Sequence, residues 1–443
     1  MTTQQSSSAT VLNLFKKVYG QITDLVPQGY KGLEMTPFSS RAKVGEKYVE
    51  AVILQNECGI TIGGSTGDLF DINPARAGAV KQAEVTPSVT VLSSVIPWSV
   101  MSRSAGGGEK AFADGTKHLI QNNLKSHMHF MEVFYWYGQA DALLGYVSDA
   151  TATYRGVAFT NGGGALGGVT FTAGINAASK AILLAPGSFA SGIWIGMEGV
   201  TVNQVNSSGA IVASGSLVSV DSENGILYVD FTPVAASSTT SHRLCFDGMQ
   251  AAREMVGVNK ILKNTGTLFG ISAAASGGFS LWRGTQQTLS ATLLTFARMQ
   301  TISANAVNRG GLDQDLEVHV NPRSFATLLN AEAARRMYDE SYKSSGVENG
   351  AEAITFYYSG GKMTVVPNRF IKEGEAYGLV KDSWIRGGSA QISLKVPGMD
   401  KAIVFPLENS SGYAFRSFSD QYILCRAPAR NWVMDGINDE AAS

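Results

Sequence analysis

Apolar residues at helical spacing predict a short amphipathic helix near the start of the chain, after a polar stretch at residues 1–10. Leu12, Phe15 and Ile22 follow this spacing, and Pro27 ends it. We expect residues 1–10 to be disordered. Two interpretations of the helix stay open: an arm that packs on a neighbouring subunit, or an ordinary first helix packed on its own core.

A second helical pattern predicts the longest helix of the chain, from Glu109 to Tyr137. Glu109 suits the first turn because the helix dipole favours a carboxylate there, and Gly138 suits the end. At ~1.5 Å per residue this helix would be a rod of about 45 Å. Apolar residues recur along it in steps of three and four, at Ile120, Leu124, Met128, Met131 and Tyr135.

Strand patterns predict a long β-hairpin within residues 46–105. The segments Lys47–Glu57 and Val85–Val100 resemble strands, and a tip rich in Gly, Asp and Asn lies between them at 59–79. Pro87 and Pro97 favour edge strands. An isolated hairpin cannot bury both of its faces, so we expect this one to lie across another element.

Residues 148–260 have a different composition, dominated by Gly, Ser, Thr and Val. The strand-like segments Ser216–Val220 and Ile226–Phe231 flank Asp221–Gly225, which ends in Asn-Gly, a strong hairpin signal. We predict a compact β-rich insertion with its own small core.

From residue 261 the pattern becomes mixed α/β. Apolar residues from Leu289 to Ile302 predict a helix that Gly310–Gly311 ends. Leu316–Val320 alternates as a strand, and Asn321–Pro322 supplies a cap and a first position for the next helix. Further strands are predicted at Ile354–Tyr358, Lys362–Val366, Gln391–Val396, Ala402–Phe405 and Gln421–Arg426.

Charged residues are scarce, at 16% of the 443 residues against a usual ~25%. Interface cores are depleted in charge, so this scarcity is typical of a chain with large interfaces. A simple Gly/Ser/Ala-rich composition explains it equally well, and both interpretations stay open. The net charge of −1 means that the whole chain is not a strong electrostatic ligand for nucleic acid.

A mild basic cluster departs locally from the near-zero net charge of the chain. It either faces nucleic acid or is a solvated face that pairs with the carboxylates of another subunit. Its members are Lys16, Lys17, Lys31, Arg41, Lys43, Lys47, Arg103, Lys110, Lys117 and Lys125.

Cysteine usage and hydropathy indicate a reducing compartment and no membrane segment. Cys58, Cys245 and Cys425 are far apart and odd in number, so we expect unpaired thiols. The start of the chain has no apolar signal-peptide region. The most apolar stretch, 181–197, is interrupted at Pro186, so we predict no transmembrane helix.

A glycine motif fails the test for a dinucleotide site. Gly162, Gly164 and Gly167 match G-x-G-x-x-G. A dinucleotide site needs a helix directly afterwards, whereas the residues from Val169 onward predict a strand. We predict no cofactor.

A serine motif fails the test for a hydrolase. Gly63, Ser65 and Gly67 match G-x-S-x-G. The residues that follow, 68–74, cannot continue as a helix past Asn73, so a nucleophile elbow is not expected. We predict no catalytic residues.

The histidines do not have metal-ligand spacing. They are His118, His127, His129, His242 and His319. His127 and His129 are two residues apart and point to different faces of a helix, so we predict packed or partly solvated histidines and no metal site.

The order of these parts resembles that of tailed-bacteriophage major capsid proteins with the HK97-type fold. The hairpin at 47–100 resembles the extended loop of that family, and Glu109–Tyr137 its spine helix. Leu316–Glu332 resembles the strand and helix of the axial domain, and Ile354–Gly388 the strands that close it.

The resemblance implies an α+β HK97-type fold with a β-rich insertion. The implied domains are an N-terminal arm at 1–45, an extended loop at 46–105, a spine helix and peripheral domain at 106–147, the insertion at 148–260, an axial domain at 261–404, and C-terminal strands that return to the peripheral domain at 405–443.

The resemblance also implies a function. Hexamers and pentamers of the chain would form an icosahedral shell around double-stranded DNA, in a virion capsid assembled in the host cytoplasm. Scaffolding, portal and decoration proteins would be its partners, with no membrane and no enzyme activity. Only about 45 residues precede the hairpin, so we expect a separate scaffold rather than a fused one. The alternatives are an encapsulin-type nanocompartment and a β-rich cytosolic enzyme.

Overall fold

The computed structural model describes residues 29–39, 46–63, 71–98, 109–148, 153–154, 157–158, 164–236, 241–336, 354–395, 404–407 and 411–438. The fold is mixed α/β and rich in sheet. The predicted helix near the start of the chain and Ser65 and Gly67 of the serine motif lie outside the described residues.

Six α-helices occur in the described residues: α1 (Lys31–Met35), α2 (Glu109–Tyr137), α3 (Ser191–Trp194), α4 (Val258–Leu262), α5 (Phe296–Gly310) and α6 (Pro322–Arg336). Short 3₁₀ turns lie at Met249–Ala251, Ser280–Trp282, Lys381–Ser383 and Pro428–Arg430.

The first part of the chain, through the insertion, contributes strands β1 (Tyr48–Gln55), β2 (Ala79–Val85), β3 (Ser88–Pro97), β4 (Gly145–Tyr146), β5 (Thr153–Tyr154), β6 (Val157–Ala158), β7 (Gly164–Leu166), β8 (Val169–Phe171), β9 (Ile175–Asn176), β10 (Ala181–Leu183), β11 (Thr201–Val205), β12 (Ile211–Asp221), β13 (Ile226–Val229) and β14 (Arg243–Phe246). The remainder contributes β15 (Thr267–Leu268), β16 (Ile271–Ser272), β17 (Thr285–Thr292), β18 (Leu316–Val320), β19 (Ile354–Tyr358), β20 (Gly361–Pro367), β21 (Glu375–Leu379), β22 (Trp384–Ser393), β23 (Val404–Pro406), β24 (Gly412–Cys425) and β25 (Trp432–Ile437).

The long helix α2 has the predicted bounds. Its last turns pack in the core, where Val133, Tyr135 and Trp136 are fully buried. Gly138 follows the helix because the backbone of residue 255 passes very close: a Cβ on Gly138 would lie 2.0 Å from the carbonyl oxygen of Met255. The glycine therefore allows the chain after the insertion to pack on the end of α2.

Replacing Gly138 with alanine should destabilise the protein by about 3 kcal/mol, because the new methyl group would force backbone to move in a packed interior. Chemical denaturation would measure this change. Gly266→Ala is the matched control, since its Cβ would meet only Asn264 Oδ1 at 3.9 Å. Equal stabilities for the two variants would contradict the packing argument.

The predicted helix around residues 289–302 begins later than expected. Residues 285–292 form β17, which pairs in parallel with β25, and the helix α5 starts only at Phe296. Thr295 caps it by accepting a hydrogen bond from the backbone N–H of Arg298. Pairing with a strand far along the chain thus outweighs a local spacing that also suits a helix. The end at Gly311, in the left-handed region with φ 60°, is as predicted.

The strand and helix at 316–336 are confirmed. β18 has the predicted bounds, and Asn321 Oδ1 accepts a hydrogen bond from the backbone N–H of Arg323 at the start of α6. In the insertion, β12 and β13 form the predicted hairpin, and Asp221 Oδ1 accepts from the N–H groups of Glu223 and Asn224 in its turn.

The pairing predicted for the hairpin at 46–105 is wrong for its second strand. β1 pairs with β2, whereas β3 leaves the hairpin and pairs along ten residues with β24. Pro87 lies between β2 and β3, and its missing N–H interrupts the ladder there. β3 is an edge strand of its sheet among the described strands, as Pro97 at its end indicates.

Three larger sheets organise the rest of the described chain. A six-stranded sheet has the order β17-β25-β21-β18-β20-β19, a seven-stranded sheet has the order β4-β14-β11-β12-β13-β10-β9, and β3, β22 and β23 pair with β24. Among the strands of 405–443, β25 does not share the sheet of β23 and β24. Its flanking partners β17 and β21 hold it in the six-stranded sheet.

The insertion has a separate core on only one face of its sheet. Leu166, Phe171 and Leu183 belong to a small cluster of their own. Residues of the opposite face, such as Ile182 and Leu227, join the main core with α1, α2 and the base of the hairpin. The alternation of side chains along each strand explains this division.

Candidate assembly surfaces

The outer face of the β1–β2 hairpin is apolar and open to solvent. Along β1 every second residue is exposed, and Val49 and Ile53 lie on that face. Ile53 is directly opposite Val80 of β2, and the two side chains are 72% and 61% exposed. Such an apolar ribbon face is typical of a surface that another protein covers.

The inner face of the same hairpin is fixed to the subunit. Tyr48 stacks on Tyr422 of β24 with ring centroids 5.1 Å apart. Its hydroxyl donates to Glu50, whose carboxylate pairs with Arg426 at 2.8 Å. These contacts make the hairpin project from an anchored base.

The described part of the hairpin tip has defined backbone contacts. Cys58 and Arg76 exchange two backbone hydrogen bonds, of 2.9 and 2.7 Å. The side chain of Asn73 donates to the carbonyl of Ile60. Around these contacts three isoleucines are strongly exposed, at Ile60 (80%), Ile62 (87%) and Ile72 (81%). Of the fifteen exposed large apolar residues in the described chain, nine lie between residues 49 and 98, which concentrates the candidate interface there.

The part of the predicted arm that contains α1 is held on α2 by a buried carboxylate. Glu132 accepts hydrogen bonds from the backbone N–H groups of Gly32 and Leu33, at 2.8 and 2.9 Å, and from Trp136 Nε1 at 2.8 Å. Burial raises the pKa of Glu132 to about 7, although these donors and the charge of Arg386 oppose the shift. The start of the described chain is therefore tied to the long helix.

A buried histidine links α2 to two strands. His127 Nε2 hydrogen-bonds Thr90 of β3 at 2.9 Å, and its Nδ1 hydrogen-bonds Ser417 of β24 at 2.8 Å. Burial lowers the pKa of His127 to about 4, so the ring is neutral in the folded subunit at neutral pH.

The contribution of His127 to stability should disappear in acid. The unfolded chain takes up this proton below about pH 6.5, whereas the folded subunit resists it down to about pH 4. The stability that His127 contributes is therefore complete above pH 6.5 and is lost as the pH falls towards 4. The difference in unfolding free energy between the wild type and His127→Gln should shrink across that window. A difference that stays constant with pH would contradict this.

The basic residues predicted to form a cluster are placed in different contacts. Lys31 Nζ donates to the carbonyl of Pro367 at 2.8 Å, and Lys47 pairs with Glu84 at 3.0 Å. Lys16, Lys17, Arg41, Lys43 and Arg103 lie outside the described residues, as do the side chains of Lys110 and Lys117. Lys31 and Lys47, the two whose contacts are given above, therefore interact with groups of their own chain.

The other predicted site residues are placed as follows. His127, His129, His242 and His319 are buried. Within the described residues, no group of three or more His, Cys, Asp or Glu side chains is arranged to hold a metal ion. After the glycine motif, β8 begins at Val169, so a strand stands where a dinucleotide site needs a helix.

The cysteines form no disulfide with one another. Cys58 is exposed, Cys245 and Cys425 are buried, and all three are free thiols. None of the helices in the described residues is long and apolar enough to cross a membrane.

Sequence reasoning missed the role of Glu132 and Arg386. One signal existed: Glu132 is the only acidic or basic residue other than histidine between Lys125 and Gly138. A single carboxylate in an otherwise apolar helical segment indicates a buried polar contact, but its partners in α1 and β22 are far away in the sequence.

Solved capsid and encapsulin structures are similar to this chain to different extents. The capsid asymmetric unit of cyanophage A-1(L) matches with 12% identity and a TM-score of 0.50, over 95% of this chain and 96% of that one. The capsid of a native GTA particle matches with 9% identity and a TM-score of 0.47, over 96% and 95%. A holo-SrpI encapsulin complex of Synechococcus elongatus matches over 35% of this chain and 54% of its own, with a TM-score of 0.23.

Comparisons at the level of sequence find nothing: no protein-family model matches the chain, and no curated protein matches it. The structural likeness extends over nearly the whole of both chains for the cyanophage protein. The fold of this chain is that of a phage capsid protein.

Proposed function

We propose that this chain is a major capsid protein, whose copies assemble as hexamers and pentamers into an icosahedral shell around double-stranded DNA. The observation that carries the proposal is the exposed apolar face of the anchored hairpin, on a chain with the fold of a phage capsid protein. A shell requires contact area rather than chemistry, and a projecting ribbon becomes stable when a neighbour covers it.

In this proposal the fold is of the HK97 type. The assignment is an arm at 1–45, an extended loop at 46–105, a spine helix and peripheral domain at 106–147, an outward insertion at 148–260, an axial domain at 261–404, and C-terminal strands at 405–443 that, except for β25, return to the peripheral domain. β25 is assigned with the axial domain because it pairs with β17 and β21. The role is structural and not catalytic, in the virion capsid after assembly in the host cytoplasm, with scaffolding, portal and decoration proteins as partners.

The content of the particles separates this proposal from the encapsulin alternative. Particles purified from producing cells should contain nuclease-protected double-stranded DNA. Particles that hold a protein cargo and no DNA would favour an encapsulin. The partial likeness to an encapsulin gives that alternative no support of its own. A protein that stays monomeric and turns over a small molecule would instead favour the β-rich enzyme.

Deleting residues 1–26 should abolish or misdirect assembly while the subunit stays folded. The deletion would remove most of the proposed arm and keep Tyr30 and α1, which pack on the main core. Sedimentation would report assembly, and circular dichroism would report folding. Normal shells from the truncated chain would contradict the role of an arm.

A further inference from the structure

A long segment without carboxylates includes the helix α5. Residues 255–312 contain five Lys or Arg side chains and no Asp or Glu, the longest such segment in a chain whose net charge is −1. Its two lysines form ion pairs with carboxylates from other segments. Its three arginines, Arg283, Arg298 and Arg309, form no ion pair with a described carboxylate. The positive charge of this segment is therefore concentrated on arginine.

Three arginines meet at the end of α5. Arg309 Nη1 donates to the carbonyl of Gly284, next to Arg283, at 3.1 Å. Burial lowers the pKa of Arg309, and the positive charge of Arg283 lowers it further. Arg430, from the turn before β25, donates through Nε to the carbonyl of Gly310 at 3.2 Å. We call the three side chains of Arg283, Arg309 and Arg430 the arginine surface.

The charge of the arginine surface is weakly balanced. The carbonyl groups that accept from Arg309 and Arg430 carry no net charge. Among the described carboxylates only Asp313 forms an ion pair with the surface, at 4.0 Å from Arg430 Nη1, and its side chain is 76% exposed. An exposed pair of this kind contributes little. All three arginines are partly exposed, so an anion from outside the subunit can reach them.

The solvent-facing side of α5 extends the same chemistry. Arg298 lies eleven residues before Arg309, or three helical turns, so the two share a face of the helix about 16 Å apart. Between residues 283 and 330 no large apolar side chain is strongly exposed, and the nearest one is Leu281 at 40%. The exposed side chains of α5 are small or polar: Ala297, Gln300, Thr301, Asn305 and Asn308.

A cationic and polar surface of this kind suits a phosphate backbone better than it suits another protein. The core of a protein–protein interface is apolar and depleted in charge. Protein–DNA interfaces are more polar and much more positively charged. Arg, Asn, Gln and Thr, the side chains found here, are among those that contact DNA phosphates.

We propose, on the basis of the proposed shell function, that the arginine surface binds phosphate groups of the packaged double-stranded DNA, without reading its sequence. Each guanidinium group can donate two parallel hydrogen bonds to the oxygens of one phosphate. This surface is distinct from the basic cluster predicted from the sequence, whose members all precede residue 126.

The test measures the binding of a short labelled DNA duplex to the full-length, unassembled chain by fluorescence anisotropy, over a range of salt concentrations. Each phosphate contact contributes about 0.9 to the slope of log K against log salt. Arg283→Gln with Arg309→Gln should therefore reduce this slope by roughly 1.8 and weaken binding about tenfold or more at low salt. Duplexes of different sequence should give the same result.

Two further variants separate charge from structure. Arg283→Lys with Arg309→Lys should keep most of the slope, because lysine also displaces counter-ions from DNA. Lys180→Gln with Arg253→Gln is the matched control, since it removes two exposed positive charges from other parts of the surface and should change the slope little. Thermal unfolding checks the fold of each variant. If the glutamine pair unfolds, Arg283→Gln alone should still reduce the slope by about 0.9.

Each outcome bears on the inference. A reduced slope for the glutamine variant, with the lysine variant and the control near the wild type, supports it. Equal slopes for the glutamine variant and the control overturn it. A glutamine variant that keeps its slope but loses shells also overturns it, in favour of a contact with another subunit. Duplex binding is measured without shells, so a wild-type chain that forms none contradicts the proposed function separately.

Discussion

Shells should fail to form when Ile53 and Val80 are both replaced with lysine. These residues face each other across β1 and β2 on the exposed side of the hairpin. Burying one such side chain stabilises an interface by about 1.5–3 kcal/mol. Two lysines would remove that contribution and place two uncompensated charges in the contact, at every hairpin of the shell.

The isolated subunit should remain folded in this variant, because neither side chain is buried in it. Sedimentation velocity would report shells, and thermal unfolding would report the subunit. Ile211→Lys with Val218→Lys is the matched control, since it adds two charges to exposed positions of β12 in the insertion. Loss of shells in the control alone, or normal shells from the hairpin variant, would show that the hairpin face is not an interface.

Replacing Glu132 with alanine should destabilise the subunit by about 4 kcal/mol. Three buried donors lose their acceptor, and each unsatisfied donor costs about 1–3 kcal/mol. Relaxation of the surrounding structure offsets part of this sum. Arg386 also loses a carboxylate whose charge favours its ionised form against the effect of burial. Because α1 is held by Glu132, residues 29–39 should be released before the rest of the subunit unfolds.

Hydrogen exchange would locate this release, and denaturant unfolding would give its size. Glu34→Ala is the matched control, because Glu34 lies on the same short helix but is exposed. Its effect should stay within about 0.5 kcal/mol. Equal effects of the two substitutions would mean that the buried carboxylate does not anchor α1.

Local patterns were sufficient where an element is determined by its own residues. The helix α2 was predicted with its bounds because its apolar spacing is regular and a glycine follows it. The same holds for β18 and the start of α6, where Asn321 and Pro322 mark the boundary.

Prediction failed where a distant partner decides the structure. Residues 285–292 fit a helical spacing, but their pairing with β25 makes them a strand. β3 pairs with β24 rather than with its neighbour in the hairpin. The candidate surfaces divide in the same way. The hairpin was visible in the sequence, whereas the contacts of Glu132 with α1 and its electrostatic interaction with Arg386 depend on segments brought together by folding.

Cryo-electron microscopy of the purified full-length protein tests the central claim most directly. The account predicts closed shells tens of nanometres across, built from rings of six and five subunits, with the hairpin of each subunit lying on a neighbour. A protein that stays monomeric at high concentration, with and without a co-expressed scaffolding protein, would contradict it.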